Sequence, residues 1–431
     1  MYAPAAPDGQ PDYPILDEDG VLRYVAGTAV LARRLGGSPA DWTAREIGDG
    51  NVNLVFSVTG PLGAVCVKQA LPYVRAAGPD WPLHPGRNGF EFKALTEHRK
   101  SAERYLPEPL HHEPALHLMA VEYLTEHTVL RDGLIQGICY PNFAKHIAEY
   151  LARSLFFTSD LALSAERKRL LVSEFETNTE MCGVMEDMVF TDIYVHHPRN
   201  RWTSPALDTE AERLRCDTAL KLAVSRLKGR YLTSKEALIH GDLHTGSIMV
   251  TAQSTRVIDQ EFACFGPMGF DLGNVLAHLF ISYFAQDGLS LASEPGVDRH
   301  EWLLDTIETL WDNFHAHFLR LWQSTGSGSS YPPALFSDPE GSAALDRERR
   351  SCLDLLLADA LGFCAAEILR RLFGFARPAD LTSITDPVRR SACERPALHL
   401  ARSLLSRPTA YPRIHDVTAT ARTLRKATSE A

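Results

Sequence analysis

The hydrophobic positions of the chain change their spacing at about residue 125. Before that point, two β-branched runs at 45–58 and 64–69 are split by the turn 59–61, and this arrangement predicts a β-hairpin. A helix is predicted over 89–104, and the apolar run 116–124 predicts a further strand. The first part of the chain is therefore expected to be rich in β-strands.

After this point, apolar residues recur every three or four positions, which is typical of amphipathic helices. Such helices are predicted over 141–157, 206–227 and 302–321. The whole pattern predicts an α+β fold. It would consist of a strand-rich N-terminal domain, 1–125, and a mainly helical C-terminal domain, 126–431.

Three segments interrupt the amphipathic pattern of the second domain. The polar segment 324–342 is rich in Gly, Ser and Pro and predicts a mobile surface loop. The apolar stretch 353–369 carries three acidic residues, so it predicts a buried helix and not a membrane span. A short strand, a polar loop and two more strands are predicted within 237–258.

Composition narrows the class of protein without naming a function. The 431 residues include 44 Lys and Arg against 54 Asp and Glu, with 45% hydrophobic residues, as in ordinary globular proteins. The net charge of −10 argues against nucleic acid or an anionic membrane as the main partner. The eight cysteines form no C-x-x-C pair, and no Lys or Arg precedes Arg23, so we expect a cytoplasmic protein with reduced thiols and no signal peptide.

One polar loop carries most of the candidate chemistry. The sequence H-G-D-L-H-T-G-S, 240–247, places Asp242 between two apolar strands, and the next strand ends at Asp259-Gln260-Glu261. Phosphoryl transfer needs one carboxylate to accept a proton from the attacking hydroxyl, and others to hold the Mg²⁺ that neutralises the phosphates. The loop therefore predicts a kinase-type site.

These motifs resemble those of the aminoglycoside-phosphotransferase-like branch of the protein kinase-like fold, and within it the methylthioribose kinases. The resemblance also includes E-I-G-D-G-N-V-N-L-V-F (46–56), W-P-L (81–83), G-P-M-G-F-D-L-G (266–273) and E-I-L-R-R (367–371). H-G-D alone is typical of the whole superfamily, whereas the joint set is specific. The resemblance implies a two-lobed fold, with ATP and Mg²⁺ as cofactors.

The resemblance also implies which residues bind nucleotide and metal. These are Gly48, Asp49, Gly50 and Asn51 in a phosphate-covering turn, Lys68 at the α- and β-phosphates with Glu91 as its ion-pair partner, Glu122, Tyr123 and Leu124 in a hinge whose backbone binds adenine, and Asp259, Gln260 and Glu261 in the metal motif. Ser247 stands where protein kinases have a metal-binding Asn, which makes it a weaker candidate ligand.

Catalysis and sugar binding are implied at four residues. Asp242 would be the base, and Arg370 and Arg371 would lie at the sugar and the transferred phosphate. Trp81 is a candidate sugar contact, although it could simply pin its own loop. The arginines could instead be one buried salt bridge and one surface charge, because adjacent helix residues point about 100° apart. Asp271 is expected to brace the catalytic loop.

The implied function is phosphorylation of the 1-hydroxyl of 5-methylthioribose to S-methyl-5-thioribose 1-phosphate in methionine salvage, by a homodimer. A related 5-deoxypentose such as 5-deoxyribose remains open as the substrate. An aminoglycoside is disfavoured because the paired arginines make the predicted pocket basic. A pseudokinase that only binds partners is also disfavoured, because the implied Lys, base and metal ligands are all retained.

Overall fold

A computed structural model describes residues 13–47, 52–75, 77–289, 298–326, 328–407 and 410–429. Its contacts divide the chain into two compact units. The first unit comprises the chain up to His127 together with Asn178–Met181 and Val257–Ala263, and the second comprises Thr128–Thr177, Cys182–Arg256 and the chain from Cys264 onward. The metal-motif segment 257–263, which the sequence pattern placed in the second domain, is thus grouped with the first unit.

The first unit contains a five-stranded antiparallel sheet in the order β1-β2-β3-β5-β4. Its elements are helices α1 (Glu18–Gly27) and α2 (Ala29–Leu35), strands β1 (Thr43–Glu46), β2 (Asn53–Gly60) and β3 (Gly63–Ala70), helix α3 (Arg87–Ala102), and strands β4 (Pro109–Glu113) and β5 (Leu118–Glu122). The predicted hairpin is confirmed as β2 and β3, with β1 as a separate strand before it.

Strand alternation decides which side chains of β3 face which layer. Val65 and Val67 are buried in a core that includes residues of α1 and α2. Because successive strand residues point to opposite faces, Lys68 projects from the other face of the sheet. The nearby segments 178–181 and 257–263 are tied together by Asn178, whose Nδ2 donates to the carbonyls of Glu261 and Ala263, each at 3.0 Å.

The second unit is mainly helical, so the predicted α+β class is confirmed. Its helices are α4 (Leu130–Ile135), α5 (Phe143–Phe157), α6 (Ala165–Phe175), α7 (Thr179–Phe190), α8 (Asp208–Cys216), α9 (Thr218–Thr233), α10 (Met268–Ala285), α11 (Arg299–Thr325), α12 (Pro339–Phe373), α13 (Ala379–Thr382), α14 (Pro387–Ser406) and α15 (Ile414–Ser429). Its short strands are β6 (Thr128–Val129), β7 (Ala237–Ile239), β8 (Ile248–Val250), β9 (Thr255–Val257) and β10 (Cys264–Gly266).

These strands form two small sheets around the catalytic loop. Strand β7 pairs with β10, and β6, β8 and β9 form a second sheet in the order β6-β8-β9. The loop 240–247 therefore leaves one sheet at β7 and enters the other at β8, so both of its ends are held by paired strands.

Helix α10 is the centre of the second unit, since all eighteen of its residues are buried. It packs closely on α12, because a Cβ at Gly273 would lie 2.7 Å from both the Ala360 carbonyl oxygen and the Cys364 nitrogen. A side chain larger than hydrogen would separate the two helices at this point. Gly273, the last glycine of G-P-M-G-F-D-L-G, thus permits the close contact between α12 and α10, the helix that carries Asp271.

Two predictions of secondary structure were wrong in part. The helix expected over 206–227 is broken into α8 and α9 at Asp217, whose side chain accepts from the Leu220 N–H and caps α9. The loop expected over 324–342 is shorter, because Asp338 caps α12 and makes it begin at Pro339. The buried helix expected over 353–369 is confirmed as part of α12. Among the described helices, none is long and apolar enough to cross a membrane.

Candidate active site

Lys68 in the first unit is surrounded by carboxylates. Its Nζ lies 2.6 and 2.8 Å from the two oxygens of Glu91 and 2.6 Å from Asp259 Oδ1. Burial lowers the pKa of Lys68, but Asp259 and Glu91 together raise it above its ordinary value. Lys68 is therefore positively charged at neutral pH, and the ion pair predicted between Lys68 and Glu91 is confirmed.

Asp259 begins the metal motif in an unusual backbone conformation. Its φ is +71°, in the left-handed region where Asp is tolerated better than most residues. Its side chain is 43% exposed although Lys68 contacts one oxygen. The next residue, Gln260, is buried, and its Oε1 lies 3.1 Å from His98 Nδ1. Gln260 thus links the motif to α3, a role that the sequence did not indicate.

Glu261 is held by side chains of the first unit. Its Oε2 accepts from Asn53 Nδ2 at 2.9 Å and from Arg87 Nε at 3.2 Å. The side chains of Glu261 and Arg87 are almost fully buried. Arg87 also donates to the carbonyls of Leu71 and Val52. A predicted metal contact by Glu261 would therefore have to use its other oxygen. Asn53 and Arg87 had not been predicted as site residues, although Asn53 lies within the quoted V-N-L-V-F motif.

The predicted hinge and the Trp81 loop also belong to the first unit. The Glu122 N–H donates to the Glu108 carbonyl at 2.8 Å, and the carbonyls of Tyr123 and Leu124 accept from the Thr125 and His127 N–H groups, so the adenine contact of the hinge stays a prediction. Trp81 is partly buried, and its carbonyl accepts from the Val74 N–H at 2.9 Å, which holds its loop. The predicted turn of Gly48, Asp49, Gly50 and Asn51 lies outside the described residues.

The catalytic loop of the second unit is fixed from below by Asp271. This buried carboxylate accepts from the His240 N–H at 2.7 Å and from the Gly241 N–H at 3.0 Å. Gly241 has a φ of +85°, which favours glycine and turns the chain toward Asp242. The expected bracing role of Asp271 is confirmed.

Asp242 is contacted by three side chains of the second unit. Arg370 Nη1 and Arg371 Nη2 lie 3.3 and 3.2 Å from the same oxygen, Oδ1, and His244 Nε2 lies 3.5 Å from Oδ2. Burial raises the pKa of Asp242, but the positive neighbours and His244 outweigh it, so the pKa is below its ordinary value. The side chain is therefore an ionised carboxylate with its orientation set.

Glu367 lies one helical turn before the two arginines. Arg370 Nη1 donates to its Oε2 at 3.1 Å, and Arg371 Nε donates to its Oε1. The side chains of Arg370 and Arg371 are only 3% and 5% exposed, so the alternative that one of them is a surface charge was wrong. The pair lies in the last turn of α12, where Arg371 also reaches the Ala376 carbonyl beyond the helix. Glu367 is part of the quoted E-I-L-R-R motif, but it had not been predicted as a site residue.

His244 and Ser247 close the catalytic loop on itself. His244 Nδ1 accepts from the Gly246 N–H at 3.0 Å, so the ring hydrogen belongs on Nε2, which faces Asp242. The Ser247 hydroxyl donates to the Asp242 carbonyl at 3.2 Å. Burial lowers the pKa of His244, and the ring is neutral. These contacts are structural, and the metal contact of Ser247 stays a prediction.

Comparison with known proteins shows that the chain is similar to phosphotransferases. Residues 43–303 match the model of the phosphotransferase enzyme family. The chain is 42% identical to methylthioribose kinase 1 of Oryza sativa subsp. japonica, over 90% of this chain and 91% of the relative. It is 40% identical to methylthioribose kinase of Escherichia coli, over 91% of this chain and 94% of the relative. Among solved structures, a glucosamine kinase bound to glucosamine, ADP and phosphate aligns over 91% of this chain and 87% of its own, with a TM-score of 0.47 and 15% identity.

Proposed function

This chain belongs to the methylthioribose kinase family, and from that membership and the geometry of Asp242 we propose that it transfers the γ-phosphoryl group of ATP to the 1-hydroxyl of 5-methylthioribose. The product is S-methyl-5-thioribose 1-phosphate, an intermediate of methionine salvage. The observation that carries the proposal is an ionised Asp242, with its side chain 14% exposed, held by two guanidinium groups in a loop with the family's sequence.

Nucleotide binding is assigned to the first unit. Lys68 supplies a fixed positive charge for the α- and β-phosphates, with Glu91 holding it in place. Asp259 suits a magnesium ligand, because its carboxylate is the exposed one of the group and Mg²⁺ commonly takes one or two carboxylates together with substrate phosphates. Mg²⁺ held there would neutralise the charge of the triphosphate. Adenine contacts are assigned to the hinge backbone of Glu122, Tyr123 and Leu124.

Catalysis is assigned to the second unit. Asp242 accepts the proton of the sugar's 1-hydroxyl, and its lowered pKa keeps it ionised for that purpose. A weakly basic carboxylate suits phosphoryl transfer, where positioning and charge stabilisation contribute more than strong basicity. The guanidinium groups of Arg370 and Arg371 stabilise charge on the transferring group and can hold ribose hydroxyls by paired hydrogen bonds.

Discrimination against aminoglycosides needs a different reason from the one that the sequence offered. Arg370 and Arg371 are matched by the carboxylates of Asp242 and Glu367, so the paired arginines do not by themselves make the second unit's site basic. The case against an aminoglycoside substrate therefore rests on the chain's high identity to methylthioribose kinases. A related 5-deoxypentose keeps the same ring hydroxyls and is the second candidate.

The proposal is tested by ADP release from Mg-ATP with methylthioribose, 5-deoxyribose, ribose and kanamycin. We expect the highest kcat/KM with methylthioribose and none with kanamycin. Preference for 5-deoxyribose would keep the chemistry and change the substrate. Turnover with kanamycin alone would overturn the proposal, and no turnover with any acceptor would favour a binding protein.

A further inference from the structure

Arg131 is a charged neighbour of the catalytic loop that the proposed reaction does not use. It lies on the short helix α4, in the second unit, and its side chain is 17% exposed. Its Nε is 3.4 Å from Thr245 Oγ1 and 3.5 Å from Asp380 Oδ2. Arg131 therefore stands between the loop that carries Asp242 and a buried carboxylate on α13.

The guanidinium of Arg131 lies directly against the loop backbone. A Cβ built on Gly246 would be 2.8 Å from His244 Cε1, 2.9 Å from Arg131 Nη1 and 3.0 Å from Arg131 Cζ. Only glycine allows this approach without moving the His244 ring or the arginine. The second glycine of H-G-D-L-H-T-G-S thus has a structural reason, which is the close packing of His244 and Arg131 on it.

Asp380 keeps Arg131 in this orientation. Its side chain is only 1% exposed, and burial raises its pKa, with Arg131 the strongest opposing influence. A buried carboxylate needs a fixed partner of opposite charge, and a guanidinium is a rigid, planar one. Loss of either member would free the other to move.

Helix α10 adds a polar layer to the same region. Although all its residues are buried, it carries polar side chains at four-residue spacing, which is one face of a helix. These are Asn274, His278 and Ser282, and Gln286, which caps the helix, continues the same spacing. The His278 ring lies 5.1 Å from the His244 ring, and Gln286 Nε2 donates to the Leu134 carbonyl of α4 at 3.4 Å. This face of α10 is thus directed toward both the catalytic loop and α4.

We propose that Arg131, anchored by Asp380, is a positioning residue that holds the catalytic loop and so fixes Asp242 for phosphoryl transfer. The contact to Thr245 and Gly246 adds a side-chain restraint to a loop whose ends are held in β7 and β8. Arg131 acts through the loop and not on the substrate. The kinetic part of this inference rests on the proposed function, whereas the restraint on the loop does not.

The main test is Arg131→Lys, which keeps a positive charge opposite Asp380 but loses the planar group that contacts Gly246. We expect kcat to fall about tenfold or more, while the KM values for ATP and sugar change less than about twofold. The matched control is Arg402→Lys, because Arg402 also pairs with an aspartate, Asp217 at 2.6 Å, in the same unit. The control should keep wild-type kcat.

Two further variants keep the test decisive if the first one is unstable. Asp380→Asn removes the anchor and should lower kcat in the same way. In an Asp242→Asn background, Arg131→Lys should change the residual rate less than about twofold, because a residue that acts through Asp242 has nothing left to position. Full kcat in both Arg131→Lys and Asp380→Asn would overturn the proposal, as would a change confined to KM.

Hydrogen exchange separates this inference from the proposed function. Loop amides in 240–250 should exchange faster in Arg131→Lys than in wild type or Arg402→Lys, whichever acceptor the enzyme uses. Unchanged exchange in Arg131→Lys would contradict the restraint even in an active kinase. Absence of turnover in the wild type, with faster exchange in the variant, would contradict only the function.

Discussion

The charged group around Lys68 and the charged group around Asp242 are built on different principles. In the first unit, three carboxylates, Glu91, Asp259 and Glu261, surround two cations, Lys68 and Arg87, and one of the carboxylates stays partly exposed. That group has one more formal negative charge than positive charges and a partly exposed carboxylate, which suits the binding of a divalent cation.

The corresponding group of the second unit is balanced and closed. Asp242 and Glu367 match Arg370 and Arg371, and all four side chains are at most 14% exposed. The difference indicates that the excess negative charge of the first group is balanced only when a cation binds. The side chains of the second group are already held in place by their own ion pairs before any ligand binds. Variants can test each half of this comparison.

The largest effect is expected for Asp242→Asn. It keeps the shape of the side chain but removes the proton acceptor, which typically costs about 10²–10⁴-fold in rate. Steady-state kinetics should show the loss in kcat, while calorimetry should show unchanged affinity for Mg-ATP. Near-normal kcat would remove Asp242 from the role of base.

Glu367→Gln should have the next largest effect, and it acts on stability. The substitution leaves two buried guanidinium groups with one carboxylate, and removal of one partner from a buried ion pair costs about 3–5 kcal/mol. Denaturant unfolding measures this loss. Glu91→Gln is the comparison, because Lys68 keeps Asp259 as a partner and should lose less. Equal losses would contradict the distinction between the closed and the open group.

Arg370→Lys and Arg371→Lys test whether guanidinium geometry matters in the closed group. Lysine keeps the charge but cannot contact Asp242 and Glu367 together through a planar fork. We expect at least one variant to lose about 10- to 100-fold in kcat/KM for methylthioribose, as for the loss of a charged hydrogen bond. ATP affinity and melting temperature should hardly change. If both variants were inactive only because they melted early, the arginines would be structural.

Asp259→Ala tests the open group and should have the smallest effect on the protein itself. The free energy of unfolding should change little, because this side chain is 43% exposed. Removal of the carboxylate should abolish most of the dependence of ATP affinity on Mg²⁺, a change of about tenfold or more. Titration with ATP, with and without Mg²⁺, measures it. Unchanged Mg-ATP affinity would contradict the assignment of Asp259.

Several features of fold and site could be predicted because they depend on neighbouring residues in the chain. The β2–β3 hairpin follows from its turn, and the strands on either side of the catalytic loop follow from short apolar runs bounded by polar residues. The break at Asp217 was missed, because amphipathic periodicity continues across it and outweighed the capping signal. Local pattern therefore located most elements but not all of their ends.

The Lys68–Glu91 ion pair shows what a family resemblance can predict beyond the hydrophobic pattern. Glu97 and Glu103 lie on the same predicted helix as Glu91, yet Glu91, which the resemblance implied, is the residue that pairs with Lys68. No comparable signal pointed to the partners of Gln260 and Glu261, which are His98, Asn53 and Arg87. Those contacts join residues more than 150 positions apart in the chain.

The sequence by itself determined the fold class, the loop that carries Asp242 and the types of residue available for phosphoryl transfer. Periodicity, turn residues and motif spacing are local properties, so they can be read along the chain. Only the tertiary structure decided that both arginines contact one oxygen of Asp242, that Glu261 is held by Arg87, and that Arg131 lies on Gly246. The physical reason is that a buried charge is stabilised by whichever partner folding brings within a few ångströms, and sequence distance does not measure that separation.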